Sequence, residues 1–240
     1  MPICNYIFIA ISILWLFGGT ACYADNAIDF SRDDILGQWT DGSKLADYLY
    51  KSTLDLKDYK VESTLFMCKP TPQESGGGTL FFKKPNLVRL QIKSRGLKNG
   101  TVVVRQPDGR IRIAGGPKLR FFRMNLDEDS RMLQAPNGLN VIKSDFATLF
   151  ASINAQLASG SKARATPAPV TIDRLKKSVT VLQLMKPEKG ADLVTERIFI
   201  DPHTGVPVEW DLFKDGNLYS VNLFENFDSN LGLQDDQFKL

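Results

Sequence analysis

From Tyr59 onward the hydrophobic period of the chain falls to two, and it is kept in short runs divided by turn residues. The runs fall at 60–68, 78–84, 87–95, 101–106, 110–114, 118–124, 170–175, 178–185, 193–201, 206–213 and 218–227. Alternation over such lengths predicts strands with one buried face. The links are too short for crossovers, so neighbouring strands pair antiparallel. Gln106-Pro107-Asp108-Gly109-Arg110 and Lys214-Asp215-Gly216-Asn217 carry hairpin chemistry, and Asn99-Gly100 marks a further turn. A sheet of about eleven strands must curl. The fold class is therefore mainly β with some α (α+β): an unclosed antiparallel β-barrel with helices covering its concave side.

Two segments keep the helical period instead. Leu45, Tyr48, Leu49 and Leu56 follow Ser43, an N-cap residue, and predict a helix over 44–56. Phe146, Leu149, Phe150, Ile153 and Leu157 follow Ser144 at i, i+3, i+4, i+7 and i+11, and Ser159-Gly160 closes that helix. Residues 159–169, rich in Ser, Ala and Pro, read as a flexible loop. No repeat of a length that would build a propeller is visible.

The N-terminus is of another kind. Ile7 to Phe17 is an apolar run, Gly18-Gly19-Thr20 breaks it, and Ala21-Cys22-Tyr23-Ala24 offers small side chains at Cys22 and Ala24. The run is short for a bilayer span and suits a secretory signal at 1–24, cleaved after Ala24, although no Lys or Arg precedes Arg32. Retention as an anchor is a second reading. Acylation at Cys22 is a third, because Gly19-Thr20-Ala21-Cys22 resembles a lipobox with Gly in place of its first aliphatic residue. Residues 25–43 form a polar lead-in, and 44–240 read as a single domain. The expected location is the periplasm, free or tethered through Cys22.

Composition narrows the chemistry. With 43% hydrophobic and 24% charged residues the chain suits a globular domain, not a disordered or fibrous one. Removal of a signal leaves Cys68 as the one cysteine, so neither an intramolecular disulfide nor a cysteine metal cluster can form. His203 is the sole histidine, which excludes Ser-His-Asp triads, Cys-His dyads and multi-histidine metal sites. Asp127-Glu128-Asp129 and Asp235-Asp236 lie in turns and read as solvated acids. The expectation is a protein that is not an enzyme and needs no cofactor or metal.

Gly78-Thr79-Leu80-Phe81-Phe82-Lys83-Lys84-Pro85-Asn86-Leu87 is the most specific segment. It resembles the Gly-x-Leu-x-x-Lys-Arg-Pro-Asn-Leu signature of the periplasmic lipoprotein carriers, the LolA-like family. Val102-Val103-Val104 with Asp108-Gly109, and the ending Asn226 to Phe238, are similar to later segments of that family. Asp201 to Trp210 is similar to a stretch common in its uncharacterised relatives. The resemblance spans most of 44–238. It implies an unclosed barrel whose apolar cavity holds lipoprotein acyl chains beneath a helical lid. Apolar residues that line a cavity and those that fill a core follow one pattern, so only the resemblance assigns Leu80, Phe82, Leu90, Ile92, Phe146, Leu149, Phe150 and Ile153 to such a cavity. It implies a lid latch at Lys84, where the signature has Arg, and Lys lacks the planar fork of a guanidinium.

Charge is unevenly spread. Residues 83–123 hold twelve Lys and Arg against one acid, Asp108, while the whole chain carries only +3. A solvated outer face is one reading, and anionic lipid head groups are the partner that fits an exported protein. Nucleic acid does not fit, for no binding motif accompanies the charge. The partners expected are a lipoprotein or lipid ligand and a protein of the inner or outer membrane. The alternative to a carrier is an envelope sensor or interaction module on the same fold.

Overall fold

The computed structural model describes residues 38–240 except 70, 96 and 189. The expected signal and Cys22 lie outside the described residues. Strand β1 (Thr40–Asp41) leads into helix α1 (Ser43–Asp55), followed by β2 (Asp58–Cys68), β3 (Pro72–Lys83), β4 (Leu87–Lys93), β5 (Val102–Arg105), β6 (Ile111–Ala114) and β7 (Arg123–Leu126). Helix α2 (Phe146–Ala158) comes next. The chain then forms β8 (Lys162–Ala165), β9 (Val170–Ile172), β10 (Lys177–Glu188), β11 (Ala191–Ile200), β12 (Pro207–Lys214) and β13 (Asn217–Ser229).

These strands make one antiparallel sheet in the order β1-β8-β10-β11-β12-β13-β2-β3-β4-β5-β6-β7, with β9 paired to β10. It does not close on itself, which is the expected unclosed barrel with helices. Among the described residues thirteen strands form where about eleven runs were expected. The sheet curls tightly where β2 meets β3: a Cβ on Gly77 would lie 2.3 Å from the Ser63 carbonyl oxygen, so only glycine allows the approach.

Alternation decides the faces. Tyr59 and Val61 oppose Phe82 and Leu80, which oppose Val88 and Leu90 in turn. All of these point to the side on which α1 and α2 lie, in one core with Ile198, Ile200 and Trp210. Two smaller clusters sit on the other face. Ile172, Val179, Val181, Phe199 and Val208 pack beneath the chain around β9. Leu87 and Val104 pack beneath the C-terminal segment through Leu233 and Phe238. Asp58, itself buried, anchors that segment by accepting hydrogen bonds from the backbone N–H groups of Leu231 (2.6 Å), Gly232 (3.2 Å) and Leu233 (3.3 Å).

Several local expectations are corrected. The loop expected at 159–169 contains β8, whose inward Ala163 and Ala165 are buried against the core. Small side chains let α1 approach the sheet here, and they gave the stretch the composition of a loop. The strand expected at 118–124 is a 3-10 turn at Pro117–Leu119 followed by β7, because the Gly115-Gly116-Pro117 bend delays pairing. The expected caps also move. Gly42, not Ser43, caps α1, and the Asp41 carboxylate accepts from the Ser43 N–H and hydroxyl. Asp145, not Ser144, caps α2, accepting from the Thr148 N–H at 2.9 Å. An ionised carboxylate is the stronger acceptor at a helix N-terminus.

Candidate functional site

The concave side brings the expected apolar residues together. Leu80 and Phe82 are 5% exposed, and Phe146, Phe150 and Ile153 are fully buried. Leu90, Ile92 and Leu149 are half-buried and pack against them. Tyr59 organises this interior: its ring lies 5.1 Å from Phe82, 5.2 Å from Phe146 and 5.7 Å from Phe227, centroid to centroid. Phe146 meets Phe224 edge-on, and Phe150 lies 5.6 Å from Trp210. These side chains fill the concave side against one another. A separate open concavity of about 420 Å³ lies at the sheet edge, among Trp39–Ser43 and Ser161–Arg164.

Few polar contacts tie the helices to the sheet. The Phe146 N–H, in the first turn of α2, donates to the Tyr59 hydroxyl at 2.9 Å. Near the other end of α2, Gln156 Nε2 donates to Glu196 Oε1 at 2.6 Å, and Trp210 Nε1 donates to Glu196 Oε2 at 2.8 Å. Burial pushes the Glu196 carboxyl above the usual carboxylate range, against the pull of those two donors. At the end of α1, Lys84 Nζ donates to the Leu54 carbonyl oxygen from the exposed turn that carries a cis Lys84–Pro85 peptide. Tyr59, Trp210, Gln156 and Glu196 were not among the expected site residues. Parity could have found Tyr59, which opposes Phe82, but nothing in sequence marks Glu196 as the inward acid of β11.

The basic segment resolves into pairs and a remainder. Lys83 meets Asp235, Lys93 meets Glu62, Arg105 meets Glu128 and Arg110 meets Asp108. Arg89 donates to the carbonyls of Gln237 and Lys239, and Arg112 to Asn125. Among the described residues Arg95, Lys118, Arg120 and Arg123 make no ion pair. Both acidic turns are partnered too, Glu128 by Arg105 and Lys143, Asp235 by Lys83 and Asp236 by Lys239. Burial first, then the Asp211 and Glu209 carboxylates, pushes the Cys68 thiol up to about 11, which leaves it a poor nucleophile. Among the described residues no three His, Cys, Asp or Glu converge as a metal site, and no helix is long and apolar enough to cross a membrane.

No family model matches the chain, and neither does any curated protein sequence. Solved structures do match in shape. MucB superposes with a TM-score of 0.50 at 16% identity, over 83% of this chain and 62% of MucB. The fold is LolA-like. A LolA superfamily protein from Nitrosomonas europaea matches over 84% of this chain and 98% of its own length, at 10% identity and a TM-score of 0.40. The Mycobacterium tuberculosis lipoprotein LppX matches over 82% of this chain and all (100%) of its own, at 16% identity and a TM-score of 0.46. MucB of Pseudomonas aeruginosa, in its complex with MucA, matches at a TM-score of 0.49 and 16% identity, over 83% of this chain and 60% of that one. The chain thus spans less than two thirds of MucB.

Proposed function

We propose that this protein is an exported, periplasmic binder or carrier of lipoprotein acyl chains or another apolar lipid ligand, and that it catalyses no reaction. The observation that carries the reading is the construction of the concave side: an unclosed sheet, apolar within, under two helices held by few polar ties. Moving a helix aside would uncover Leu80, Phe82, Phe146 and Phe150 as a groove the width of an acyl chain. Each methylene buried there contributes about 0.8 kcal/mol, so a chain of about sixteen carbons offers on the order of 12 kcal/mol to offset the opening. In this reading Lys84 is the latch of α1, holding its last turn through the Leu54 carbonyl.

Lipid extracted from the purified protein and identified by mass spectrometry tests the proposal, together with uptake of a fluorescent fatty acid. Phe150→Ala, which removes a fully buried ring, is expected to increase uptake while costing about 3–5 kcal/mol of stability. Absence of lipid, with no uptake by either form, would count decisively against a carrier. A second reading, an envelope interaction module, is favoured by the filled interior and by MucB having been crystallised with MucA. It requires a stable protein partner in pull-downs and no lipid uptake. The intact mass of the mature chain separates a free protein starting at Asp25 from one acylated at Cys22 and tethered to a membrane.

A further inference from the structure

Two hairpin loops meet at the end of the sheet opposite the Lys84–Pro85 turn. The first, residues 94–101, joins β4 to β5; the second, 115–122, joins β6 to β7. They abut so closely that a Cβ on Gly116 would lie 1.9 Å from the Asn99 carbonyl oxygen. Hydrogen bonds fix both: Gly100 N–H to Ile92 O (2.9 Å), and Gly115 N–H to Phe122 O, Leu119 N–H to Gly116 O and Phe122 N–H to Leu119 O (2.8 Å each). This built turn holds Phe121 outward at 87% exposure; Leu119 in the same loop is 39% exposed, and Leu97 in the abutting loop 62%. Arg95, Lys118, Arg120 and Arg123, for which the described residues supply neither an ion pair nor a side-chain hydrogen bond, all belong to these loops or flank them, and the Arg120 guanidinium lies 4.7 Å from the Phe121 ring centroid. Neither loop contains an acid.

We infer that these paired loops are a membrane-docking tip, which sets Phe121 and Leu97 into an anionic phospholipid bilayer while Arg95, Lys118, Arg120 and Arg123 meet its phosphate head groups. An exposed aromatic ringed by unpaired cations has the composition of an interfacial anchor: the ring partitions at head-group depth, and the cations are drawn to the surface potential. A merely solvated hairpin needs charge but has no use for a rigidly presented, outward phenylalanine. The inference does not rest on an apolar cargo, because the tip lies outside the concave core.

The test uses the full chain in sedimentation with vesicles of phosphatidylcholine, alone or with about 30 mol% phosphatidylglycerol. The apolar run near the N-terminus is common to every variant, so differences between variants report on the tip. The wild type is expected to bind the mixed vesicles and to bind less in about 1 M salt. Lys118→Glu with Arg120→Glu should lower partitioning by about fivefold or more per cation removed. Phe121→Ala with Leu97→Ala should lower it by at least about tenfold at unchanged thermal stability. Phe121→Trp should retain binding and be quenched by brominated lipid. The inference is overturned if the wild type shows no preference for anionic vesicles, or if the Phe121 and Leu97 variant binds as the wild type does. Loss on charge reversal alone would mean a purely electrostatic contact, such as an acidic protein, and would overturn it as well.

Discussion

Replacing Tyr59 by phenylalanine isolates one bond at the centre of the molecule. The ring contacts of Tyr59 with Phe82, Phe146 and Phe227 survive, as does the burial of a side chain only 1% exposed, so no cavity term arises. What is lost is the acceptor for the Phe146 N–H at 2.9 Å, in a place that water does not reach. Leaving that donor unpaired costs about 1–3 kcal/mol. For a chain of this size the cost corresponds to a fall in Tm of about 2–10 °C. Urea unfolding followed by tryptophan fluorescence should show a lower midpoint at unchanged m, and hydrogen exchange should quicken at the Phe146 amide. A change below about 0.5 kcal/mol, with exchange at Phe146 unaltered, would refute the view that Tyr59 holds the start of α2.

Three further outcomes follow from the same contacts. Lys84→Leu should speed exchange of a bound fluorescent fatty acid by about twofold to fivefold without unfolding the barrel, and Lys84→Arg should slow it; equal rates in stopped-flow displacement would leave Lys84 an ordinary surface lysine. Asp58→Ala removes the acceptor of three backbone N–H groups and should cost about 3 kcal/mol, with limited proteolysis newly cutting between 230 and 240. Burial raises the folded-state pKa of Glu196 above its ordinary 4.5, so its contribution is full below that value and is lost as pH rises through the raised pKa. Glu196→Gln should flatten the fall of stability with pH just above pH 4.5, and a wild-type slope that persists in the variant would assign the effect to another group.

The sheet was legible because period-two alternation and turn chemistry are local signals, and both hairpin turns and long strands such as β2 and β13 stand close to their expected places. Strand β8 was not legible, because Ala163 and Ala165 are small for the sake of α1, a contact more than a hundred positions away in sequence. Leu80 and Phe82 could be placed on one face by parity, while Glu196 could not be found, since an inward acid breaks the alternation it sits in. The basic segment shows the same limit from another side. Sequence gives a total charge, but Glu62 reaches it from β2, Glu128 from the turn after β7 and Asp235 from the C-terminal segment, and only the fold decides which cations stay unpaired.

The two helices that cover the interior are unequally held. Helix α2 buries Phe146, Phe150 and Ile153 completely, and its first turn is bonded to Tyr59 inside an aromatic cluster. Helix α1 buries only Ala46, Leu49 and Thr53, and leaves Tyr48 and Leu54 exposed at 63% and 42%. Fully burying one large apolar side chain is worth about 1.5–3 kcal/mol, and α2 buries three of them against one, Leu49, in α1, where Leu45 and Tyr50 are only partly covered, so undocking α2 costs more than undocking α1. The polar tie at the end of α1 is the exposed Lys84 contact with the Leu54 carbonyl, open to competition from water, whereas the Tyr59 bond to α2 is sealed. In the proposed carrier, α1 is therefore the part of the cover that yields, and Phe146, Phe150 and Tyr59 remain as the fixed wall against which an apolar chain would lie.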